Sequence, residues 1–325
     1  MFHKHAQDQR SLVIKQAFVL GAGLGKRLRP LTESLPKPLI PIYGKPLITF
    51  ALDHLCAVGV ESFVINTHHL ADQLDSLLVD GTYEGRPLRL VHEPDLLETG
   101  GGIKNVEGFL APEPFIVYSG DILTDIELKP LIQEHFRKGN DVTLALRETG
   151  LAAGIALKDG RVIDINSKYG HVGTYDFANV SIWNPTIFPR IPAGKKISFI
   201  PIIVEWIGQS GKIGGVLLNE RMWFNIGSRA EYLKIHRTID EERWTPDYVK
   251  APDWPLRIAA DATVDSSARL SGFFSIGAGC RIGRDAVIED TILWPDAQVA
   301  SGSQLRNCIV RAHQKAEGTL NDTDI

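Results

Sequence analysis

Between Ile258 and Leu305 the chain repeats itself at a period so short that few folds accommodate it. Ile258, Val264, Leu270, Ile276, Ile282 and Ile288 recur every six residues, Ala262, Ala268, Cys280 and Ala286 mark the fourth position after them, and Gly277 and Gly283 directly follow an aliphatic. A unit of this size cannot bury its own apolar side chain, so successive units must stack and share one interior. The spacing predicts short strands wound into a coil, three hexads to the turn, with the aliphatic residues inward. The phase slips by one residue after Ile288 and resumes at Val299 and Leu305, leaving room for about three coils. A stack this short leaves its end coils uncovered, and that surface is expected to support a homo-oligomer. Phe273, Phe274 and Trp294 are candidates either for such an outward contact or for the core.

Upstream the periodicity changes. Apolar runs at Ala17–Leu20, Ser62–Asn66, Leu88–His92, Phe115–Tyr118 and Val142–Leu146 read as strands. Helical spacing separates them at Leu47–Val58, Ala71–Val79, Gly102–Phe109 and Lys129–Lys138. In the first of these, Ile48, Ala51, Leu52 and Leu55 share a face and Gly59 is placed to stop the helix. Regular alternation of this kind predicts an α/β fold, a Rossmann-like, mostly parallel sheet with helices on both faces. Gly154–Asn184 breaks the pattern with short alternating strands and reads as an antiparallel insert forming a side wall. A helix at Ile200–Ile207, a strand at Ile213–Leu218 and a helix at Arg229–Ile239 close the domain. With three prolines and two tryptophans, Arg243–Pro255 reads as a linker. The expected organisation is thus a first domain over 1–242, a linker over 243–257 and a repeat domain over 258–325. At 325 residues and 44% hydrophobic content the chain can build both cores.

The chemistry concentrates near the start. The strand ending at Leu20 runs straight into Gly21, Gly23 and Gly25, and no bulky side chain intervenes before Leu24. Glycine lets backbone N–H groups approach an anion closely. Lys26, Arg27, Arg29, Lys37 and Lys45 follow, against the single acid Glu33. A tight turn beside a solvated basic face would also account for the loop alone, but the imbalance of charge calls for a polyanion. The net charge of -4 over the whole chain argues against a nucleic-acid surface, so the anion is expected to be a small molecule. The loop is not a P-loop, because Leu20 stands where a glycine and Arg27 where a serine or threonine would be needed, and Lys26 replaces the third glycine of a dinucleotide fingerprint. Ligands of open α/β sheets lie beyond the carboxyl ends of the strands, which predicts one crevice for Gly21, Asn66, Glu93 and Asp121. There, Asp121 is suited to Mg²⁺, which takes one or two protein oxygens and fills its remaining sites from phosphates and water. Cys56, Cys280 and Cys308 form no C-x-x-C pair and read as buried thiols. No apolar run is long enough to cross a membrane and the first ten residues are polar, so neither membrane nor secretion is expected and the cytoplasm is.

The run from Gly21 to Thr32, followed by Pro36-Lys37-Pro38-Leu39-Ile40-Pro41 and Lys45-Pro46-Leu47-Ile48, resembles the signature of the sugar-1-phosphate nucleotidyltransferases, or nucleotide-sugar pyrophosphorylases. The resemblance covers 16–241, and the hexads at 258–311 resemble those of the left-handed parallel β-helix. It implies that a sugar-1-phosphate attacks the α-phosphorus of a nucleoside triphosphate in line, giving a nucleotide sugar and pyrophosphate. By the same resemblance Leu20, Gly21, Ala22, Gly23, Gly25 and Lys26 wrap the triphosphate, Arg27 neutralises the leaving pyrophosphate and Lys37 contacts the reacting phosphates. Asp121 aligns with the family's metal-binding Gly-Asp, implying Mg²⁺ as cofactor. Asn225 in Trp223–Ser228 occupies the second metal position, where Asp is usual, so one negative charge is lost. Glu98-Thr99-Gly100-Gly101-Gly102-Ile103 looks most like the N-acetylmuramate 1-phosphate uridylyltransferases and implies that Thr99, Gly100 and Gly101 lie against base or ribose. The mannose-1-phosphate guanylyltransferases more often show Gly-Thr-Ala-Gly there, but Glu93 and Asp95 could accept hydrogen bonds from the N1 and N2 groups of guanine, so the base stays open. Ser119, Lys168 and Asn179 are the implied sugar-phosphate contacts, with Asn179 where many relatives carry glycine. His68 and His69 fall near the base in this alignment and imply no zinc. Two other readings remain: a regulatory relative that binds nucleotide sugars without turnover, suggested by Asn225, and an acyltransferase on the repeat with His313 as base.

Overall fold

The computed structural model describes residues 12–77 and 80–325. Its chain forms two compact units that interleave in sequence: one comprises the residues up to Ala22, Ala51–Gly120 and Thr124–Trp223, the other Gly23–Phe50, Asp121–Leu123 and Phe224–Ile325.

The first unit is built on one sheet. Its strands are β1 (Gln16–Leu20), β2 (Ser62–Thr67), β3 (Thr82–Tyr83), β4 (Arg86–His92), β5 (Phe115–Ser119), β6 (Val142–Arg147), β7 (Ile155–Lys158), β8 (Arg161–Ile165), β9 (Asp176–Trp183) and β10 (Ile213–Leu217), in the spatial order β7-β8-β10-β6-β9-β5-β1-β2-β4-β3. Strands β4, β2, β1, β5, β6, β10 and β7 run one way, and β9, β8 and β3 the other. Strands β5, β1 and β2 are buried along nearly their whole length, as strands covered on both sides must be, whereas β4 buries only Leu88. The helices begin with α1 (Leu47–Ala57); α2 (Glu98–Asn105) and α4 (Phe199–Gly208) share one buried cluster with the sheet, in which Phe18, Ile103, Phe115, Trp183, Phe199 and Trp206 meet. α3 (Leu128–Lys138) packs on β6 and β10 and ends at Gly139, whose φ of 57° closes the helix in the left-handed region.

Three expectations change. The segment after β2 forms 3₁₀ turns over Ala71–Leu77 instead of an α-helix, and the end expected at Val79 lies outside the described residues. The third helix starts at Glu98 rather than Gly102, because its glycines are inside the helix and serve close packing rather than a turn. The insert is not a side wall throughout: β9 pairs with β5 and β6 in the middle of the sheet, and only β7 and β8 stand at the edge.

The second unit carries the hexads. Thr263–Val264, Arg281–Ile282, Gln298–Val299 and Lys315–Ala316 stack as one parallel sheet, and Arg269–Ile276, Val287–Leu293, Gln304–Arg306 and Thr319–Asn321 as another. Ile276, Cys280, Ile282, Ala286, Ile288, Val299, Leu305 and Ala316 fill the interior between them, as the period required. The one-residue slip has a location: Ser271 pairs with Glu289 and Phe274 with Thr291, so Gly272 and Phe273 together face Asp290 alone. This bulge puts Gly272 at a φ of 63° with the Asp290 carboxylate where a side chain would stand.

Phe273 and Trp294, 2% and 1% exposed, are core and not outward contacts, and Phe274 is buried as well. Phe273 and Trp294 belong to a second cluster beside the coil interior, with Tyr43, Phe50, Tyr232, Ile239 and Trp254. α5 (Arg229–Glu242) contributes Tyr232 and Ile239, and starts on a capping box in which Ser228 and Glu231 bond each other. The 243–257 segment joins α5 to the first hexad as packed structure: Tyr248 and Trp254 are buried, and the Trp254 indole N–H donates to the Ile42 carbonyl at 3.0 Å. All three cysteines are buried, and burial pushes the Cys280 thiol up to about 11.

Two measurements follow. Trp254→Ala removes a buried ring and its donor, and should lower the unfolding free energy by about 3–5 kcal/mol in urea titration; a tether would lose almost nothing. Burial lowers the pKa of His54 to about 3 and of His135 and His236 to about 4. The unfolded chain protonates its histidines near 6.5. The stability of the neutral buried forms is therefore present above that value and lost as pH falls toward 4, so the urea midpoint at pH 5 should lie below that at pH 7.

Candidate active site

In the first unit the strand register brings Leu20 level with Asn66 on one side and Ser119 on the other, at the carboxyl edge of the sheet. Asn66 is 1% exposed and acts as a joint. Its side-chain oxygen accepts the N–H groups of Gly21 at 2.9 Å and Ala22 at 3.3 Å, and its Nδ2 donates to Glu93 Oε1 at 2.7 Å. Glu93 Oε2 in turn accepts the Leu97 N–H at 3.0 Å. Glu93, fully buried, therefore spends both oxygens inside the protein, between the glycine loop and the start of α2. Two of the loop amides expected to meet phosphate likewise meet Asn66. Asn66 had been expected in the crevice but without a role; the signal available was a polar amide ending an otherwise apolar strand.

The glycines of α2 are close-packed. A Cβ on Gly102 would stand 2.9 Å from Asn66 Nδ2 and 3.1 Å from Glu93 Oε1. Cβ atoms on Gly100 and Gly101 would stand 2.8 Å from the Ile197 carbonyl and 2.3 Å from that of Lys195. The amides of Gly100 and Gly101 both donate to Ile197 O, at 2.8 and 3.0 Å, and the Thr99 hydroxyl accepts the Phe199 N–H at 3.2 Å. Thr99, Gly100 and Gly101 thus fasten the 195–199 segment to α2. The family's sugar side splits in two. Asn179 adopts a φ of 62° at the register shift between Phe177 and Ser181, a conformation glycine takes without strain. Lys168 is exposed, in a loop that Asp164 holds by accepting the Tyr169 and His171 amides at 2.8 and 3.0 Å. No hydrogen bond or ion pair among the described residues joins Lys168 to Asn179 or Ser119. Behind Ser119, burial lowers the pKa of His54 to about 3 and raises that of Tyr118, and the two side chains meet at 3.1 Å.

The second unit gathers the charged groups. Gly25 has a φ of 57°, and a Cβ there would stand 2.7 Å from Thr32 Cγ2, whose hydroxyl donates to the Gly25 carbonyl at 2.9 Å. Gly23 is different: nothing lies within 4 Å of the position a Cβ would take. Among the described residues no packing requires a glycine at 23, and its open side leaves the backbone free to be approached closely. From Gly23 to Arg27 no backbone N–H finds an acceptor among the described residues. Successive open amides around a left-handed residue make an anion-binding concavity. Lys37, 9% exposed, donates to Asp121 Oδ2 at 2.5 Å. The Asp121 carbonyl accepts the Ile226 N–H at 3.0 Å, which fixes Asn225 beside it in the chain. Asn225 Oδ1 is buried and has no hydrogen-bond partner. The guanidinium of Arg27 lies over Gly227, where a Cβ would approach Nη2 to 2.9 Å. Gly227 was missed at the sequence level; it leaves space for the arginine.

An orphaned amide oxygen beside a carboxylate is the oxygen-only donor set of a hard divalent cation, so Asp121 and Asn225 fit Mg²⁺. Open amides, two lysines and an arginine in one unit, with that donor set, are groups suited to phosphoryl oxygens. The sequence model of the family described as nucleotidyl transferase matches residues 16–242, and the chain belongs to that family. It is similar to a mannose-1-phosphate guanylyltransferase of Mycobacterium tuberculosis, 30% identical over 88% of this chain and 81% of the relative. It is likewise similar to an N-acetylmuramate alpha-1-phosphate uridylyltransferase of Neisseria meningitidis, 31% identical over 66% of this chain and 93% of the relative. Among solved structures, the inositol-1-phosphate CTP transferase of T. maritima shares the fold at a TM-score of 0.57, with 18% identity over 67% of this chain and 91% of that one. Among the described residues no helix is long and apolar enough to cross a membrane.

The two loop glycines should separate experimentally. Gly25→Ala meets both Thr32 and an unfavourable φ and should lose about 1–3 kcal/mol of stability. Gly23→Ala should melt with the wild type, yet show a smaller thermal shift with nucleoside triphosphate.

Proposed function

We propose that this enzyme condenses a nucleoside triphosphate with a sugar-1-phosphate, releasing pyrophosphate and a nucleotide sugar, as a uridylyl- or guanylyltransferase. The observation that carries the reading is the assembly of Lys37, Asp121, Arg27 and the orphaned Asn225 oxygen within one unit. Leu20, Gly21, Ala22, Gly23, Gly25 and Lys26 are the proposed triphosphate loop. Glu93, Thr99, Gly100 and Gly101 are proposed to shape the base side, chiefly by holding the loop and α2 in place. Ser119, Lys168 and Asn179 are proposed for the sugar phosphate. Similar proteins named for guanylyl and for uridylyl transfer keep both bases in view.

No side-chain nucleophile is required, because the attacking group is the phosphate oxygen of the sugar-1-phosphate. Its bond to the α-phosphorus forms as the bond to the β-phosphate oxygen breaks, and the electron pair leaves with pyrophosphate. Arg27 neutralises charge on that leaving group, with a planar fork suited to phosphate oxygens. Lys37 orients the reacting phosphate and, through its bond to Asp121, keeps that carboxylate in position. Mg²⁺, held by Asp121 and Asn225, would supply charge stabilisation at the α-phosphate. The loop amides hold the chain of phosphates in line, so the rate comes from positioning and electrostatics. The division into a catalytic domain over 1–242, a linker over 243–257 and a repeat over 258–325, assembly through the end coils and a cytoplasmic address complete the proposal.

Pyrophosphate release, measured for UTP, GTP, dTTP, CTP and ATP against a panel of sugar phosphates with Mg²⁺, tests it. Turnover is expected with UTP or GTP; release with none would leave the regulatory relative, the reading that Asn225 suggests. Arg27→Ala should lower kcat by about 10²–10³ at an unchanged melting temperature, and a near-normal kcat would remove Arg27 from its role. Asp121→Asn should abolish the Mg²⁺ dependence of the nucleotide thermal shift.

A further inference from the structure

We infer that the last coils of the hexad repeat position the residues that meet the reacting phosphates, through Arg311 above all, so that turnover depends on a side chain remote in sequence from the loop. The inference rests on the reading of Arg27 and Lys37 given above. Arg311 follows the short strand Ile309–Val310, and its backbone N–H and its Nε both reach the Ile325 carbonyl at 2.9 Å. Thus anchored, its Nη1 donates to the Pro30 carbonyl at 3.3 Å and lies 3.7 Å from Glu33 Oε2. Pro30 is three residues from Arg27, and the run between them is a series of tight turns: the amides of Leu28, Leu31 and Glu33 donate to the carbonyls of Gly25, Leu28 and Pro30 at 2.8, 2.9 and 3.1 Å.

A cation is an unexpected tie for this segment, which already holds Lys26, Arg27 and Arg29. It sits there because its target is a carbonyl oxygen and Glu33 is the one acid of the stretch. The Arg311 side chain is 21% exposed, so the hydrogen bond is partly shielded from competing water. The same coils reach the lysine end independently. Trp294 Nε1 donates to the Tyr232 hydroxyl at 3.0 Å, and that hydroxyl donates to the Pro41 carbonyl at 2.6 Å, four residues past Lys37. They also reach the metal end, where Arg229, four residues past Asn225, bonds Asp324 Oδ1 at 2.6 Å and the Asn307 carbonyl at 2.5 Å. The segments that carry Arg27, Lys37 and Asn225 are therefore each held from the repeat side by a polar contact a few residues away, where a small displacement moves the side chain.

Arg311→Ala in the full chain, compared with Arg311→Lys and Trp294→Phe, tests the inference by two readouts. The first is steady-state pyrophosphate release: kcat should fall about ten- to hundredfold with KM for the nucleotide little changed, and Arg311→Lys should recover part of it by keeping one donor for Pro30. The second is amide hydrogen exchange, expected to accelerate at Leu28, Leu31 and Glu33 while the coil amides keep their protection. A lower melting temperature with unchanged kcat and unchanged exchange at those amides would overturn the inference and leave Arg311 a purely structural tie. If Arg311→Ala does not fold, Trp294→Phe, which replaces the indole by a smaller aromatic ring without the Nε1 donor, carries the same comparison for exchange at Leu39 and Ile40. Should the wild type release no pyrophosphate with any substrate pair, the functional reading fails, while the exchange result still decides the positioning.

Discussion

Crowding cations is costly unless something negative is held among them, and in the second unit Lys37 holds Asp121 at 2.5 Å. Lys26, Arg27, Arg29, Lys37 and Lys45 would otherwise repel through a poorly solvated segment. With Lys37 paired and nearly buried, the remaining charge lies on exposed side chains, Lys26, Arg27 and Arg29, where solvent screens it. The pair also explains why a carboxylate and a lysine from distant parts of the sequence are placed together: each lowers the cost of burying the other. The open amides of the glycine loop, the orphaned Asn225 oxygen and the Arg27 guanidinium then lie in a unit where Lys37 is paired and Lys26, Arg27 and Arg29 keep the excess of positive charge that an anionic ligand would meet.

The parts legible in the sequence were those written in periodicity or in glycine. The hexads named Ile276, Cys280, Ile282, Ala286, Ile288, Val299 and Leu305 of the coil interior and passed over Leu293 and Ala297, which lie where the phase slips. The alternation of apolar runs located the core strands within a residue or two of where they lie, because strands buried on both faces admit little else. Gly25 was readable because only glycine sits easily at its φ beside Thr32.

What was not legible was fixed by partners distant in sequence. Nothing local says that Asn66 will hold Gly21 and Ala22, or that Glu93 will be consumed by Asn66 and Leu97; both side chains could equally have faced a ligand. The glycines of α2 looked like a turn against base or ribose, and Gly100 and Gly101 are packed against the carbonyls of Ile197 and Lys195. Placing β9 in the middle of the sheet needed knowledge of its two neighbours, since an isolated apolar strand does not declare whether it is edge or centre. Prolines made 243–257 look like a tether, but its aromatic residues are core, a distinction that depends on the cavity waiting for them.

The bulge at Gly272 and Phe273 has an evolutionary corollary. An array of regular hexads grafted in place of this one would bring its own inward aliphatics intact. It would not bring a coil with one surplus residue that throws an aromatic ring sideways, nor a tryptophan at 294 to stand beside it. Any exchange made at the proline-rich seam would leave Tyr232 and Trp254 facing a void, so the two ends of this gene are constrained to be inherited together.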